Sequence, residues 1–416
     1  MTSSTPTTPT VVHYDPYDVD IDDDPYPTWT RLRNEAPLYR NETLDFYALS
    51  RWDDVKPALL DWETYRSGRG TVLEIIRAGV EIPPGILLFE DPPIHDAHRA
   101  LLSRVFTPRR MLDLEPLVRR YCVSALDALR DRDEFDIIGE FGVEVPLRTI
   151  GFLFGIPEAD QMAYRKRTDD TLVTAGTPIS FDQSSFNDVL SVLADYVDWR
   201  SRNPSSDLMT DLLNAEVDEP HGSRRRLSRD EVVAYASMVA GAGNETATRL
   251  IGFTMQLLAQ HPDQRQLLVE DPSLIPDAVE EILRLESPSP VQARYVQRDV
   301  DVWGRIVPAG STMLLLNGAA NRDERHFTNP DGFDVHRDEG PHLAFGYGLH
   351  FCLGAALARL EGRVALEEIL RRWPAWDVDI DRGKMAHTAS VRGWGYLPVR
   401  PERPPVIDSL LKEPHK

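Results

Sequence analysis

Cys352 sits in the segment Phe345-Gly346-Tyr347-Gly348-Leu349-His350-Phe351-Cys352-Leu353-Gly354, a glycine-spaced loop leading into a helical pattern. A cysteine there can serve as a thiolate, because the start of a helix offers partial positive charge and unpaired N–H groups that lower a thiol pKa. Gly346, Gly348 and Gly354 allow a tight loop whose backbone can approach a flat group where side chains would collide. Taken alone, a cysteine before a helix is more often a small buried hydrophobe; the glycine spacing sets this one apart. Ala242-Gly243-Asn244-Glu245-Thr246 brings two small residues, a carboxylate and a hydroxyl together, with Thr246 on nearly the same helical face as Gly243. The same residues could serve helix packing, with the Thr246 hydroxyl bonded back to the preceding turn. Glu281 and Arg284 share one helix face, as do His95 and Arg99 in Asp91-Pro92-Pro93-Ile94-His95-Asp96-Ala97-His98-Arg99. An isolated Glu–Arg pair of this spacing is usually a solvated surface ion pair. His95 with His98 suggests zinc, but no suitably spaced third and fourth ligands follow.

In this order along the chain, the segments resemble the cytochrome P450 family, and the cysteine loop is similar to its heme-binding signature. The resemblance implies Cys352 as the sulfur ligand of a heme b (iron protoporphyrin IX), with Phe345, Gly346 and Gly354 shaping the loop. Ala242 and Gly243 would let a long helix pass close over the heme, and Thr246 with Glu245 would be the catalytic pair that relays protons during O–O cleavage. His95, Arg99, Arg294 and His350 match the family's propionate positions, where buried carboxylates need cationic partners. Glu281 and Arg284 match its Glu-x-x-Arg pair, whose third member is often an arginine within Pro-x-Arg-Phe. Pro330-Asp331-Gly332-Phe333 lacks that arginine, which leaves Arg337 or His336 as substitutes.

The substrate pocket implied comprises the apolar segment 75–88, Val239, Ala240, Val291, Gln292 and Trp394. Most of these are uncharged, which points to a small apolar substrate such as a terpenoid, fatty acyl or aromatic compound. The reaction implied is hydroxylation with one oxygen atom of O2, electrons coming from NAD(P)H through ferredoxin reductase and ferredoxin. The alternatives are a peroxide-driven peroxygenase, which in this family usually lacks the Glu–Thr pair, and a non-catalytic heme or ligand-binding protein. Arg99, Arg104, Arg109, Arg110, Arg119, Arg120, Arg359 and Arg363 fall, by the same resemblance, on the sulfur side. They read as a docking patch for an acidic ferredoxin, against the alternative that they pair with Asp113, Glu115 and Glu361.

The elements that must position these residues are mainly α with a smaller β-rich part, an α+β cytochrome P450 fold with heme between the long helix and the cysteine loop. Helical periodicity dominates residues 94–285, with breaks near Pro157, Pro178, Pro204 and the polar run 218–226. Residues 228–261 predict a helix on the order of thirty residues, roughly 45 Å long, which must cross the molecule. Strands are expected at 38–40, 46–49, 293–296 and 312–316, and a helix at 353–371. Segment 68–90 reads as an unusually apolar loop covering something. Cys122, in the amphipathic run 114–129, reads as core.

Length and charge bound the remaining possibilities. The chain has 416 residues, 42% of them hydrophobic, with a formal net charge of −21, so nucleic acid and anionic membranes are repelled on average. Two cysteines are too few for a disulfide framework and fit a reducing cytoplasm. The opening MTSSTPTTPT reads as disordered, and the organisation expected is a tail at 1–20 followed by a single domain at 21–416. No apolar run approaches membrane-spanning length, so a cytoplasmic monomer without a membrane anchor is expected.

Overall fold

The computed structural model describes residues 11–104, 106–162, 182–218, 222–388 and 390–402. The expected break near Pro178 and the first ten residues of the expected tail lie outside them. Among the helices that frame the site are α1 (Leu73–Ala78), α2 (Ile94–Ser103), α3 (Pro108–Asp127), α4 (Glu144–Phe154), α5 (Gln183–Leu190), α6 (Arg229–Gln260), α7 (Ile275–Leu285) and α8 (Ala355–Arg372). Seven strands accompany them: β1 (Leu38–Asn41), β2 (Phe46–Leu49), β3 (Tyr65–Arg66), β4 (Gln292–Val296), β5 (Thr312–Leu315), β6 (Lys384–His387) and β7 (Arg392–Tyr396). The first five form one sheet in the order β1-β2-β5-β4-β3, with β2 and β5 parallel and the other pairs antiparallel.

The long helix forms where its sequence signals it. Ser228 caps α6 by accepting the Glu231 N–H at 3.2 Å, while the Glu231 carboxylate accepts the Ser228 N–H at 2.7 Å. This reciprocal box satisfies two of the donors that a helix start leaves orphaned. The 32 residues that follow span about 48 Å. Helix α6 runs through the core because small residues admit its neighbours: a Cβ on Gly252 would stand 2.7 Å from Ile138, and one on Gly362 of α8 would stand 3.0 Å from Leu250.

Two expectations change. Residues 11–20, read as part of a disordered tail, pack against the sheet: Tyr14 and Tyr17 are buried, the Tyr14 N–H donates to the Tyr39 hydroxyl, and Asn41 donates to the Tyr14 carbonyl at 2.9 Å. Two aromatic rings supply enough apolar area to order this otherwise polar run. The apolar segment 68–90 is not all loop, since it contains α1 and a single 3-10 turn at Leu87–Phe89. Its apolar residues pack rather than hang: Ile75 and Ile86 form one cluster with Phe186 and Ala234.

Glu361 is a charge-capable group deep in this core. It is 2% exposed, with the Thr149 hydroxyl beside it and no partner for Oε1, and burial pushes its carboxyl up to about 8. The folded protein therefore keeps a proton that the unfolded chain releases at the ordinary Glu pKa, about 4.3. Stability from this group is fully present below that pH and is lost as the pH rises towards 8. Glu361→Gln, which carries no titrating proton, is expected to flatten the fall in stability over this window and to gain roughly 3–5 kcal/mol near pH 8. Urea unfolding of both proteins at pH 5 and pH 8 checks this, and equal pH slopes would count against a neutral Glu361.

Candidate active site

The cysteine loop is built by its glycines and braced from behind. Gly346 and Gly348 have φ of 68° and 72°, left-handed values that favour glycine, and the Cys352 N–H donates to the Phe345 carbonyl at 2.9 Å. The Phe345 ring is buried between Phe351 and the Arg359 guanidinium, 4.6 Å away. Cys352 is accessible at its own face although protein surrounds it, and burial raises its thiol pKa. The Gly354 and Ala355 N–H groups at the start of α8, with the Arg99 and Arg359 cations, oppose that rise and favour the thiolate. Cys122 has no such support: it is fully buried in α3, and burial pushes its thiol far up.

Beside the loop, four basic side chains converge. His95 and Arg99 come from α2, Arg294 from β4 and His350 from the cysteine loop. The His95 and His350 rings lie 4.5 Å apart, and the Nε2 atom of each is buried without a hydrogen-bond partner. Burial, then Arg294, His95 and Arg99, push the His350 imidazole down to about 2, while burial pushes Arg294 down to about 10. Two arginines and a neutral His350 packed together call for anions, and two propionates would satisfy both orphaned nitrogens and the arginines. The residues present therefore fit a heme, with Cys352 as the sulfur ligand.

Along α6, Ala242 is exposed although Ala240, Asn244 and Ala247 are buried, so the helix presents an open face at Val239, Ala242 and Thr246. Thr246 Oγ1 donates to the Ala242 carbonyl at 2.8 Å. Glu245 pairs with Arg249 at 3.0 Å, and Arg249 also donates to the Trp394 carbonyl at 2.6 Å. Gly243 differs from expectation: a Cβ there would meet Ile150 of α4 at 2.8 Å, so its smallness serves helix packing rather than a cofactor.

Three of the pocket expectations also change, those for Ala240, Val291 and Trp394, while Gln292 borders the cysteine loop at Gly346. Ala240 is fully buried, because it lies about 100° round the helix from Val239. Strand alternation puts Val291 on the face of Ala293 and Leu314, packed towards the N-terminal aromatics, and Gln292 on the opposite face with Arg294. There Gln292 Oε1 accepts from Arg294 at 3.0 Å and braces it. Trp394 packs on Gly252 and donates its indole N–H to Gln256 at 2.8 Å, so it is core. A cavity of about 50 Å³ lies instead between Val291, the turn residues Thr388, Ser390 and Val391, and the N-terminal Tyr14, Asp22 and Trp29, and none of Val239, Ala242 or Thr246 lines it. The sequence reading missed Arg249, which holds Glu245; its spacing four residues after Glu245 was the signal.

The third member of the Glu281–Arg284 network is Arg337. Arg284 holds Glu281 at 2.7 and 2.8 Å, and Arg337 Nε donates to the same carboxylate at 3.0 Å. His336 is exposed and takes no part. Arg284 also donates to the Asn321 carbonyl, and the Asn321 side chain accepts the Leu343 N–H at 2.7 Å, two residues before Phe345. The network thus fixes the base of the cysteine loop.

The basic patch is largely neutralised. Arg119 binds Glu115, Glu367 and Glu368, Arg363 binds Glu115 and Glu367, Arg359 binds Glu280, and Arg110 binds Asp211. Of the three acids expected as partners, Glu115 serves and the buried Glu361 does not. Arg104, Arg109 and Arg120 form no ion pair among the described residues. No helix among the described residues is long and apolar enough to cross a membrane.

Comparison with known proteins agrees with this geometry. The cytochrome P450 family model matches residues 186–385. The putative cytochrome P450 123 of Mycobacterium tuberculosis is 38% identical over 391 residues, covering 92% of this chain and 96% of that protein. The 6-deoxyerythronolide B hydroxylase of Saccharopolyspora erythraea is 34% identical, covering 90% of this chain and 95% of that protein. Among solved structures, cytochrome P450 CYP109Q5 from Chondromyces apiculatus is similar at a TM-score of 0.82 and 31% identity, covering 95% of this chain and 100% of that one. With the thiol, the cationic cluster and the open helix face all in place, the chain belongs to the bacterial cytochrome P450 family of heme-thiolate monooxygenases.

Proposed function

We propose that the protein hydroxylates a small apolar substrate on a heme b, drawing electrons from NAD(P)H through ferredoxin reductase and ferredoxin. The observation that carries this reading is the convergence of His95, Arg99, Arg294 and His350 beside a cysteine whose sulfur receives the α8 N–H groups. When bound, the heme supplies the chemistry of dioxygen activation. The chain's residues do the rest. The Cys352 thiolate donates electron density, and N–H bonds from Gly354 and Ala355 moderate that donation. Val239 and Ala242 present apolar surface that orients a substrate and excludes water. The Thr246 hydroxyl, held by the Ala242 carbonyl, can pass a proton from its oxygen and re-form that bond afterwards. Glu245, paired to Arg249 at 3.0 Å, can swing off the arginine, take a proton from solvent and hand it to the Thr246 oxygen, which restores the hydroxyl.

Thr246→Ala is expected to retain heme and substrate binding while product formed per NAD(P)H falls about tenfold, the balance appearing as hydrogen peroxide. Simultaneous assay of NAD(P)H, peroxide and product checks this. Unchanged coupling would remove Thr246 from proton delivery. A screen of terpenoids, fatty acids and aromatic compounds for Soret shifts tests the substrate class. An acidic ferredoxin would find Arg104, Arg109 and Arg120 on the sulfur side, the arginines left over after internal pairing.

A further inference from the structure

One buried acid–base pair borders the cationic cluster, since the Glu90 backbone hydrogen-bonds His350. Glu90 is 7% exposed and His98 3%, and His98 Nδ1 lies 2.9 and 2.8 Å from the two Glu90 carboxylate oxygens. Glu90 Oε1 also accepts the Gly85 N–H at 2.8 Å. Gly85 has φ of 100°, and a Cβ there would stand 2.9 Å from the Glu231 Cα, so the segment rests directly on the first turn of α6. Glu231 is itself immobilised by Ser228 and by two 2.7 Å bonds from Arg225. Between Gly85 and Glu90, Ile86 packs with Ile75 of α1, Phe186 of α5 and Ala234 of α6, while the Phe89 ring lies 6.3 Å from that of Phe186. One carboxylate therefore ties both ends of a short segment between α1 and α2.

This arrangement is costly if stability were its only use. Burying a carboxyl group and its hydrogen-bond partner carries a desolvation penalty that well-packed apolar residues avoid. The pair does something apolar residues cannot: it gives the Gly85 N–H a fixed acceptor. Among the described residues the His98 side chain is hydrogen-bonded to Glu90 alone; the Tyr235 ring meets it edge-on at 5.4 Å and the Tyr235 hydroxyl has no partner.

We propose that His98 is a positioning residue. By holding Glu90 it keeps residues 85–90 closed on α6, and so sets how fast small molecules reach the face of Val239, Ala242 and Thr246. The inference rests on the heme-thiolate reading for where that face leads. The test compares the holoenzyme with His98→Leu, His98→Asn and the double variant Glu90→Met/His98→Leu. Binding of 4-phenylimidazole is followed by stopped-flow Soret absorbance, and thermal midpoints are measured alongside.

His98→Leu is expected to speed azole association and dissociation about tenfold and to lower the midpoint, because it strands a buried carboxylate. His98→Asn, whose amide can donate in place of Nδ1, should return the rates to near the parent values. The double variant removes both polar partners and should recover most of the midpoint. Its rates should stay fast, because Gly85 has lost its acceptor. A double variant with parental rates would overturn the proposal and leave the pair a purely structural one. Amide hydrogen exchange at residues 85–90 of the holoenzyme decides the same question without an azole: faster exchange in the double variant supports the latch, and unchanged exchange overturns it. A parent protein giving no Soret response to the azole would instead count against the heme-thiolate reading, which separates the two failures.

Discussion

Cys352→Ser is expected to fold and to lose product formation by about a thousandfold or more, equivalent to at least roughly 4 kcal/mol of barrier. Folding should survive because Cys352 is accessible at its own face, and the loop is held by the Phe345 carbonyl and left-handed glycines rather than by packing of the thiol. Activity should not survive, because a serine hydroxyl at this place has neither a thiolate's charge at neutral pH nor its polarisability. Cys122→Ser is the matched control. It removes a fully buried thiol from α3, so its cost falls on stability, on the order of 1–2 kcal/mol, with turnover per folded molecule unchanged. Turnover normalised to heme content checks both.

The second large effect is expected at Arg337. Its guanidinium is 9% exposed, binds Glu281 at 3.0 Å and Glu339 at 2.7 Å, and donates to the Thr328, Asn329 and Gly332 carbonyls. Arg337→Ala leaves a buried carboxylate half-compensated and three carbonyls short of a donor, so a loss of about 3–5 kcal/mol is expected. His336→Ala, one residue away and exposed, should change stability by less than about 0.5 kcal/mol. Because the network reaches Leu343 through Asn321, Arg337→Ala should also release heme more readily on heating. Urea unfolding and heme-loss rates measure the two consequences separately. Equal effects at 336 and 337 would remove Arg337 from the network.

The sequence made some of this legible because certain local signals have few physical outcomes. Ser228 and Glu231 before an apolar run specify a capping box, and α6 begins there. Glycines at 346 and 348 announced a tight loop, and the loop makes its turns there with left-handed backbone. Side-chain facing was harder to read. Gly243 looked like clearance for a cofactor, yet the space belongs to Ile150, a contact between α4 and α6 that no local pattern encodes. Gln292 and Val291 were adjacent candidates, but a strand sends neighbours to opposite faces, so both could not line one pocket. The missing arginine at Gly332 was replaced from five residues downstream, where the chain folds back past its own carbonyls. The pairing inside the basic patch was hidden for a related reason: Glu367 and Glu368 lie far from Arg119 in sequence but face it across the packing of α3 on α8.

The central claim is that Cys352 supplies the thiolate to a heme held by His95, Arg99, Arg294 and His350. The most direct test is the absorbance spectrum of the reduced, carbon monoxide-treated protein. A red-shifted thiolate Soret band is expected in the parent and in Cys122→Ser, and its loss in Cys352→Ser. Persistence of that band in Cys352→Ser, or its disappearance in Cys122→Ser at full heme content, would contradict the assignment.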